Sequence, residues 1–407
     1  MEEGGEIRPF YYNECNKDHL ATAKGSLETR ENNKQWLVCG FNGFGQFEFE
    51  NKRKLTNFEE FQLPLNENIA DVLVACSWNC LAIANGCYLY LQGFISNSPK
   101  TIKSIKTYIP IKSIDICDKF CLVLLENGKV YKLLPECKDK FKEITFQTSL
   151  TAIAPQKRNI FGDCRSTKTI LKIAHIACGN NITIAVSTTN AVFSGTTQIF
   201  QFPNHQRTKQ LKCGFEHSLL LTTNGDIYSC GNGLRGQLGL EVLRIEETPT
   251  LIEALAGIKI TSIAAGGWHS AAISAFGDLY TWGYNSNGQL GLRLYKTAAQ
   301  TLKEPTVYHL PQLLDLATCQ CGKNPNEDVI DSNCSPLKVV AGGRHTILQM
   351  SCGSIYASGW NSYGQLGLTN FQEYCDQFKF VIKLEDVSSN VNDKQIICGN
   401  WCTLIKK

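Results

Sequence analysis

Residues 265–291 read AGGWHSAAISAFGDLYTWGYNSNGQLG, and this stretch decides the fold because two other stretches repeat it in register. Residues 213–239 read CGFEHSLLLTTNGDIYSCGNGLRGQLG, and residues 341–367 read AGGRHTILQMSCGSIYASGWNSYGQLG. Each copy begins with a small residue and a glycine, has histidine at the fifth position and ends in G-Q-L-G. Internal repetition of this kind indicates a repeat architecture.

Each copy has the pattern of a β-hairpin followed by a glycine-rich tail. An apolar run such as Ser218 to Leu221 leads to a Gly-Asp or Asn-Gly turn, and an alternating run such as Asp278 to Trp282 follows. Glycines in the tail suit positive φ angles or close backbone approach. The tail glycines at shared positions are Gly231, Gly236, Gly283, Gly288, Gly359 and Gly364.

Weaker copies of the hairpin begin near Val72, Ile114 and Ile173, and they lack the G-Q-L-G tail, which leaves the form of their outer turns open. The chain ends with the first half of a copy and begins, at Trp36, with a second half. Six internal units and one shared by the two ends make seven. A unit shared by the ends closes a ring and removes exposed sheet edges.

We therefore predict an all-β, seven-bladed β-propeller that is closed by N- and C-terminal strands of one shared blade. Residues 1–35 are predicted to be an N-terminal tail, and residues 36–407 to form the propeller. Insertions are expected at about 132–172 and 293–338, where the repeat pattern is interrupted.

The A-G-G-x-H-[ST] and W-G-x-N-x-x-G-Q-L-G patterns resemble the regulator of chromosome condensation repeat. The strong match covers roughly residues 210–292 and 338–368. Details such as Phe41–Gln46 and Glu247–Leu255 resemble the small RCC domain-containing members, which have little beyond the propeller. That resemblance implies a JmjC-domain oxygenase as partner and a role in chromatin regulation or chromosome segregation, with contact to histones or chromatin made indirectly.

Composition indicates a folded protein, because the chain has 407 residues, 43% of them hydrophobic, and a net charge of only +3. Met1–Phe10 is acidic where a secretory leader would be basic and then apolar, and no run of eighteen apolar residues predicts a membrane span. The 19 cysteines are therefore expected to be reduced. We expect a monomer in the nucleus and cytoplasm, with no membrane partner.

Cysteine and histidine recur at fixed places in the repeat. The small-residue position is predicted to hold Cys76, Cys117, Cys178, Cys213 and Cys398, and the histidine position holds His217, His269 and His345 or, in other units, Cys80, Cys121 and Cys402. Structural packing is the favoured interpretation for the cysteines. For the histidines, the alternatives are one structural hydrogen bond in each blade or a shared site near the axis.

Two further motifs are interpreted as chance matches to known binding motifs. Gly231–Gly236 matches the dinucleotide fingerprint G-x-G-x-x-G, but the repeat alignment leaves no place for the helix that must follow. His309, Cys319, Cys321 and Cys334 could bind zinc, but their spacing is not a standard one, and surface thiols are favoured. We predict no catalytic residue, no cofactor and no metal.

Two groups of residues are candidates for partner binding. Trp78, Trp268, Arg344 and Trp401 follow the small-residue position, so they form an aromatic and arginine rim if those turns share a face. The alternative is that these tryptophans fill gaps between blades. The second group lies in the first insertion and comprises Lys157, Arg158, Phe161 and Arg165, with a solvated basic loop as its alternative.

Three functions compete. The first is a non-enzymatic interaction scaffold for the oxygenase. The second is a guanine-nucleotide exchange factor for a Ran-type small GTPase, the activity of the founding family member. It lacks support here because residues 1–35 form no basic arm and no residue of exchange chemistry can be assigned. The third is an enzyme, for which the repeat supplies no converging carboxylates.

Overall fold

Glycine-punctuated hairpins recur along the whole chain, and the computed structural model pairs each of them into an antiparallel sheet. The structure describes residues 10–13, 36–49, 51–63, 72–95, 98–134, 141–148, 171–294, 306–316, 334–368, 370, 372–384 and 395–407. No helix in this described part is long and apolar enough to cross a membrane.

The described residues contain strands β1–β29 and one 3-10 turn at Glu253–Leu255. The first strands are β1 (Phe10–Asn13), β2 (Trp36–Phe41), β3 (Lys54–Phe61), β4 (Leu73–Cys76), β5 (Cys80–Asn85), β6 (Tyr88–Ile95), β7 (Ser98–Thr107), β8 (Ile111–Ile116), β9 (Cys121–Leu125), β10 (Val130–Leu133), β11 (Phe141–Glu143), β12 (Ile173–Cys178), β13 (Thr183–Ser187), β14 (Ala191–Ser194) and β15 (Thr197–Gln201). The remainder are β16 (Thr208–Cys213), β17 (His217–Thr222), β18 (Ile227–Asn232), β19 (Ile245–Leu251), β20 (Ile260–Ala265), β21 (His269–Ser274), β22 (Leu279–Asn285), β23 (Thr306–Leu314), β24 (Pro336–Ala341), β25 (His345–Met350), β26 (Ser354–Trp360), β27 (Tyr374–Lys383), β28 (Ile396–Cys398) and β29 (Cys402–Lys406).

These strands form seven sheets, which we call blades 1–7. From the inner to the outer strand, blade 1 is β28-β29-β2-β3, blade 2 is β4-β5-β6-β7-β1, blade 3 is β8–β11, blade 4 is β12–β15, blade 5 is β16–β19, blade 6 is β20–β23 and blade 7 is β24–β27. Each inner strand contacts the inner strand of the next blade, and β24 contacts β28, which contacts β4. The predicted seven-bladed propeller is confirmed.

Blade 1 closes the ring with strands from both ends of the chain. The C-terminal β29 pairs on one edge with β28 and on the other with the N-terminal β2, where Val38 lies opposite Leu404 and Gly40 opposite Cys402. This pairing confirms the predicted shared blade. Through this pairing, the strands near both ends of the chain are hydrogen-bonded within a sheet, as the strands of the other blades are.

Three segments outside the regular repeat contribute outer strands. Within the predicted tail 1–35, β1 pairs antiparallel with β7 as a fifth strand of blade 2. Within 132–172, β11 is the outer strand of blade 3, and within 293–338, β23 is the outer strand of blade 6. In blade 4, which lacks the glycine-rich tail, Gly195 and Thr196 connect β14 directly to β15.

The apolar core lies between neighbouring blades, with one buried cluster at each of the seven boundaries. Between blades 5 and 6 it includes Leu219, Leu221, Ile263 and Trp282. Burial of one such aliphatic side chain stabilises the fold by about 1.5–3 kcal/mol. The alternating pattern of the strands therefore stabilises the ring chiefly through contacts across blade boundaries.

The repeated histidines connect successive blades. His217 Nε2 lies 2.9 Å from Ser270 Oγ, His269 Nε2 lies 2.9 Å from Thr346 Oγ1, and His345 Nε2 lies 3.1 Å from Thr403 Oγ1. Each hydroxyl in turn donates to the backbone carbonyl of the glutamine in a G-Q-L-G tail, for which the distances are 2.8, 2.6 and 2.8 Å. Blades 5, 6, 7 and 1 are thereby joined in series.

The hydrogen-bond pattern fixes the imidazole tautomer. Since each hydroxyl donates its proton to a carbonyl, the histidine must donate from Nε2–H. Burial lowers the pKa of His217 and of His345 to about 3, and that of His269 to about 4. The turn glycines allow the rings to approach, because a Cβ at Gly266 would collide with the His269 ring. The structural interpretation of the histidines therefore fits the geometry, and the three rings do not converge on a shared site.

The thiols pack as small apolar groups. Burial raises the pKa of Cys39 and Cys121, and raises that of Cys80 to about 12. Cys76 Sγ lies 3.3 Å from Cys402 Sγ across the boundary between blades 2 and 1. These contacts agree with the predicted packing role.

The predicted register of blade 3 is wrong by one residue. Cys117 N–H donates to Phe120 O, as Gly214 N–H donates to His217 O, so Ile116 and Phe120 occupy the positions assigned to Cys117 and Cys121. This register allows the Asp115 carboxylate to accept the Cys178 N–H at 2.7 Å. Because blade 3 has no glycine in this turn, the C-x-x-x-C spacing alone misaligned it.

Replacement of His269 by Gln tests the histidine connection. We expect the free energy of unfolding at pH 7 to fall by about 1–3 kcal/mol, because the variant loses the buried hydrogen bond from the imidazole of His269 to the hydroxyl of Thr346. The neutral folded imidazole stabilises the protein fully above pH 6.5, and this contribution falls by about 1.4 kcal/mol per pH unit as the pH falls from 6.5 towards 4. Urea denaturation between pH 7 and 4.5 should show a shallower pH dependence for the variant.

His205→Gln is the matched control because His205 is exposed, and it should leave both quantities unchanged. An unchanged pH dependence in His269→Gln would contradict the connection.

Candidate partner-binding face

One face of the ring carries both the turns after the inner strands and the glycine-rich tails. We call it the turn face, and the opposite face, with the hairpins between second and third strands, the hairpin face. The residue just before the histidine position differs by blade. In blades 2–5 it is Asn79, Lys119, Asn181 and Glu216, and in blades 6, 7 and 1 it is Trp268, Arg344 and Trp401. The turn face therefore has a polar sector and an aromatic sector.

Aromatic rings from blades 7, 1 and 2 contact one another on the turn face. Trp401 has its ring centroid 5.3 Å from those of Trp78 and Tyr363, and 5.6 Å from that of Phe41. Phe44 lies 5.1 Å from Trp78. Such edge-to-face and tilted pairs add to the area that the rings bury.

Two arginines extend the cluster across blades 7, 6 and 5. The Arg344 guanidinium lies 5.7 Å from the rings of both Trp268 and Trp360. The Arg235 guanidinium lies 4.1 Å from Trp268 and 5.2 Å from Tyr284. These cation–π contacts hold both guanidinium groups over aromatic faces at the surface.

We call this continuous set the aromatic arc. Its members are Phe41, Phe44, Trp78, Phe215, Arg235, Trp268, Tyr284, Arg344, Trp360, Tyr363 and Trp401. All are partly exposed, and Arg235 has the most exposed side chain of the set. The structure thus brings Trp78, Trp268, Arg344 and Trp401 to one face, whereas the buried Trp36 and Trp282 fill gaps between blades.

Sequence reasoning missed seven members of the arc. They are Phe41, Phe44, Phe215, Arg235, Tyr284, Trp360 and Tyr363. Six of them occupy variable positions of the G-x-N-x-x-G-Q-L-G tail, whose sequence pattern indicates only turn formation. The signal was present, because a tail that returns to the same face as the first turn places its variable side chains beside the tryptophans.

Buried amides fix the tails that carry the arc. Gln46 Oε1 accepts the Phe44 N–H at 3.2 Å, and its Nε2 donates to Phe41 O at 2.9 Å and to Trp78 O at 3.2 Å. Asn42 Oδ1 accepts the Phe47 N–H at 3.0 Å. Gly231, Gly236, Gly283, Gly288, Gly359 and Gly364 all have positive φ, as predicted. The surface side chains therefore project from rigid loops.

The polar sector bridges the axis. Asp118 of blade 3 accepts hydrogen bonds at 2.8 Å from the side-chain amides of Asn180 in blade 4 and Asn400 in blade 1. Burial raises the pKa of the Asp118 carboxyl, and these amide bonds partly oppose that rise by favouring the charged form. Glu216 accepts from Asn181 at 3.1 Å and from Asn232 at 3.0 Å.

Several predicted residues remain outside this picture. Lys157, Arg158, Phe161, Arg165, Cys319 and Cys321 lie outside the described residues. Within the described ranges, no group of three or more His, Cys, Asp or Glu side chains is placed to hold a metal ion. Gly231–Gly236 leaves strand β18 for a loop in which Gly236 N–H donates to Gly233 O, and no helix begins in the described residues that directly follow it.

Replacement of Asp118 by Ala tests the bridge across the axis. It removes the acceptor of two amide hydrogen bonds, so we expect a loss of about 1–3 kcal/mol in the free energy of unfolding. Urea denaturation measures this loss. The exposed Glu241, replaced by Ala, is the control and should change stability by less than about 0.5 kcal/mol. Equal effects in the two variants would show that the bridge contributes nothing.

Comparison with known proteins identifies the repeat. A family model described as the regulator of chromosome condensation (RCC1) repeat matches residues 224–273 and 277–354, and a second model of that repeat matches 209–237 and 260–289. The chain carries RCC1 repeats. The matches fall on blades 5–7, where the histidine connections and the G-Q-L-G tails are complete.

Two curated relatives share part of these repeats. RCC1 domain-containing protein 1 from Homo sapiens is 34% identical over 227 residues, 49% of this chain and 56% of that protein. The ultraviolet-B receptor UVR8 from Arabidopsis thaliana is 30% identical over 221 residues, 47% of this chain and 49% of the receptor. The chain thus spans about half the length of the curated relatives it matches.

A solved structure shares the fold over nearly the whole chain. Prp20p from Saccharomyces cerevisiae superposes with a TM-score of 0.65 at 15% identity, covering 91% of this chain and 90% of that one. That structure was described together with the binding of Prp20p to Gsp1p and histones. At this identity the likeness establishes the β-propeller fold and nothing finer.

Proposed function

We propose that this protein is a non-enzymatic interaction scaffold that binds a protein partner through the aromatic arc. The observation that carries the proposal is the arc itself. It joins aromatic and arginine side chains from blades 2, 1, 7, 6 and 5 on one face. Tryptophan, tyrosine and arginine are the residues that dominate binding energy at protein interfaces.

Rigidity of the arc supports the same proposal. Amides of the tails and histidines of the turns fix the backbone on both sides of these side chains. A preorganised surface loses little conformational entropy when a partner binds. The contacts among the rings and guanidinium groups hold the side chains near the positions in which a partner would meet them.

For the partner we propose a JmjC-domain oxygenase, with the complex acting in chromatin regulation or chromosome segregation in the nucleus and cytoplasm. Support comes from the similarity to RCC1 domain-containing protein 1 and from the expectation attached to the small members of the family. In this proposal the partner performs the chemistry, and the propeller supplies recognition. The alternative is nucleotide exchange on a Ran-type GTPase.

The first experiment mixes the full chain with a JmjC-domain oxygenase from the same organism and measures co-elution in size-exclusion chromatography. A Ran-type GTPase in its nucleotide-free state is the parallel sample. We expect co-elution with the oxygenase. Binding to the GTPase alone would reject the scaffold proposal and make nucleotide exchange the leading function.

Variants then test the face. We expect Trp268→Ala and Arg235→Ala each to weaken partner binding about tenfold or more, because both remove a central contact of the arc. The matched controls are Phe276→Ala and Arg207→Ala, an exposed aromatic residue and an exposed arginine at the hairpin face. Calorimetry should show unchanged affinity for the controls. Equal losses in all four variants, or none, would place the contact elsewhere.

A further inference from the structure

The axial channel opens on the hairpin face, opposite the aromatic arc. At its mouth is a cavity of about 950 Å³ that is lined by inner strands of all seven blades. It continues into a cavity of about 350 Å³ and then into one of about 100 Å³ beneath the turn face. There the turns bond to one another, with Gly343 N–H donating to Asn400 O at 2.9 Å. The channel therefore narrows towards the turn face.

The wall of the channel is basic. Lys209, Lys212, Lys338 and His175 line the mouth. Asp115 is the one acidic residue among the described residues that line the two wider cavities. Its carboxylate already accepts the backbone N–H groups of Cys178 at 2.7 Å and of Ile116 at 3.0 Å. Among the described lining residues, the positive charge of the three lysines therefore exceeds the negative charge of Asp115, which interacts electrostatically with Lys212.

The lysines are close enough to affect one another. Burial lowers the pKa of Lys338, and the nearby Lys212 lowers it further. His175 also has a lowered pKa, through burial and through Lys112. Opposite charge placed between Lys212 and Lys338 would relieve their repulsion.

A buried amide lies beside these lysines. Gln349 is directly opposite Lys338 in the pairing of β24 with β25, so both side chains project from the same side of the sheet. Gln349 lines the cavity and is 0% exposed, and neither its Oε1 nor its Nε2 has a hydrogen-bond partner among the described residues. An unsatisfied buried amide destabilises the fold, so a ligand that accepts from Nε2 would recover part of that cost.

We propose that the mouth of the axial channel binds a small anion with two or more negative charges, through Lys212, Lys338 and the amide of Gln349. The narrowing shape favours a small molecule over a chain that threads the ring. Phosphate and carboxylate groups share the required chemistry, as charged acceptors for ammonium and amide donors. This site is independent of the aromatic arc and of its partner.

Isothermal titration calorimetry on the full chain tests the proposal, with pyrophosphate and citrate as separate probes and ionic strength held constant with sodium chloride. We expect at least one probe to bind. The double variant Lys212→Met/Lys338→Met should weaken that binding at least tenfold, and Gln349→Leu at least threefold. Lys142→Met, an exposed lysine on the outer strand of blade 3, should stay within twofold of the native affinity.

The double variant Lys212→Arg/Lys338→Arg guards against misfolding, since it keeps both charges and should retain binding within about threefold. Circular dichroism melting curves confirm that each variant is folded. The proposal is overturned if neither anion binds, or if the methionine variant binds as tightly as the native chain. Binding of an octaglutamate peptide without binding of either small anion would also overturn it and indicate a peptide channel.

Discussion

The hydrogen bond from a buried imidazole to the hydroxyl of the next blade is the interaction on which the turn face depends. This bond fixes each turn relative to the next blade. The hydroxyl in turn donates to a carbonyl in the tail of the blade that carries the histidine. Trp268 and Arg344 directly precede the histidines that make these bonds. The hydrogen bonds that align the blades therefore also position Trp268 and Arg344 in the candidate interface.

The blades of the ring are stabilised in two different ways. Blades 5–7 have histidine, glycine-rich tail and hydroxyl, and they match the family models. Blades 2–4 have Cys80, Phe120 and Ile182 at the histidine position, and their boundaries depend on apolar packing and on side-chain bonds such as those of Asp115 and Asp118. Blades 2–4 thus make up most of the polar sector of the turn face, which blade 5 completes, while the aromatic arc extends from blades 5–7 into blades 1 and 2.

The sequence predicted the fold well because a ring of identical hairpins needs only the repeat and its register. The shared blade followed from Trp36 and the C-terminal half unit alone. Prediction was wrong at Cys117, because the C-x-x-x-C spacing favoured Cys117 and Cys121, whereas the turn hydrogen bond from Cys117 N–H to Phe120 O places Ile116 and Phe120 at those positions. It found four members of the arc and missed seven, Arg235 and Tyr363 among them, because contacts between a turn and the tail of another blade depend on how blades are placed. The channel lysines had no sequence signal, since Lys212 and Lys338 are 126 positions apart on strands that meet only around the axis.

Hydrogen–deuterium exchange of the full chain with and without the proposed oxygenase partner tests the central claim most directly, because it reports every backbone segment in one experiment. The account predicts added protection in the turn-face segments 41–47, 77–79, 233–237, 266–268, 343–344 and 400–401, with the hairpins of the opposite face, such as 274–278, unchanged. Protection confined to the hairpin face, with the turn-face segments unaltered in a complex that forms, would contradict it.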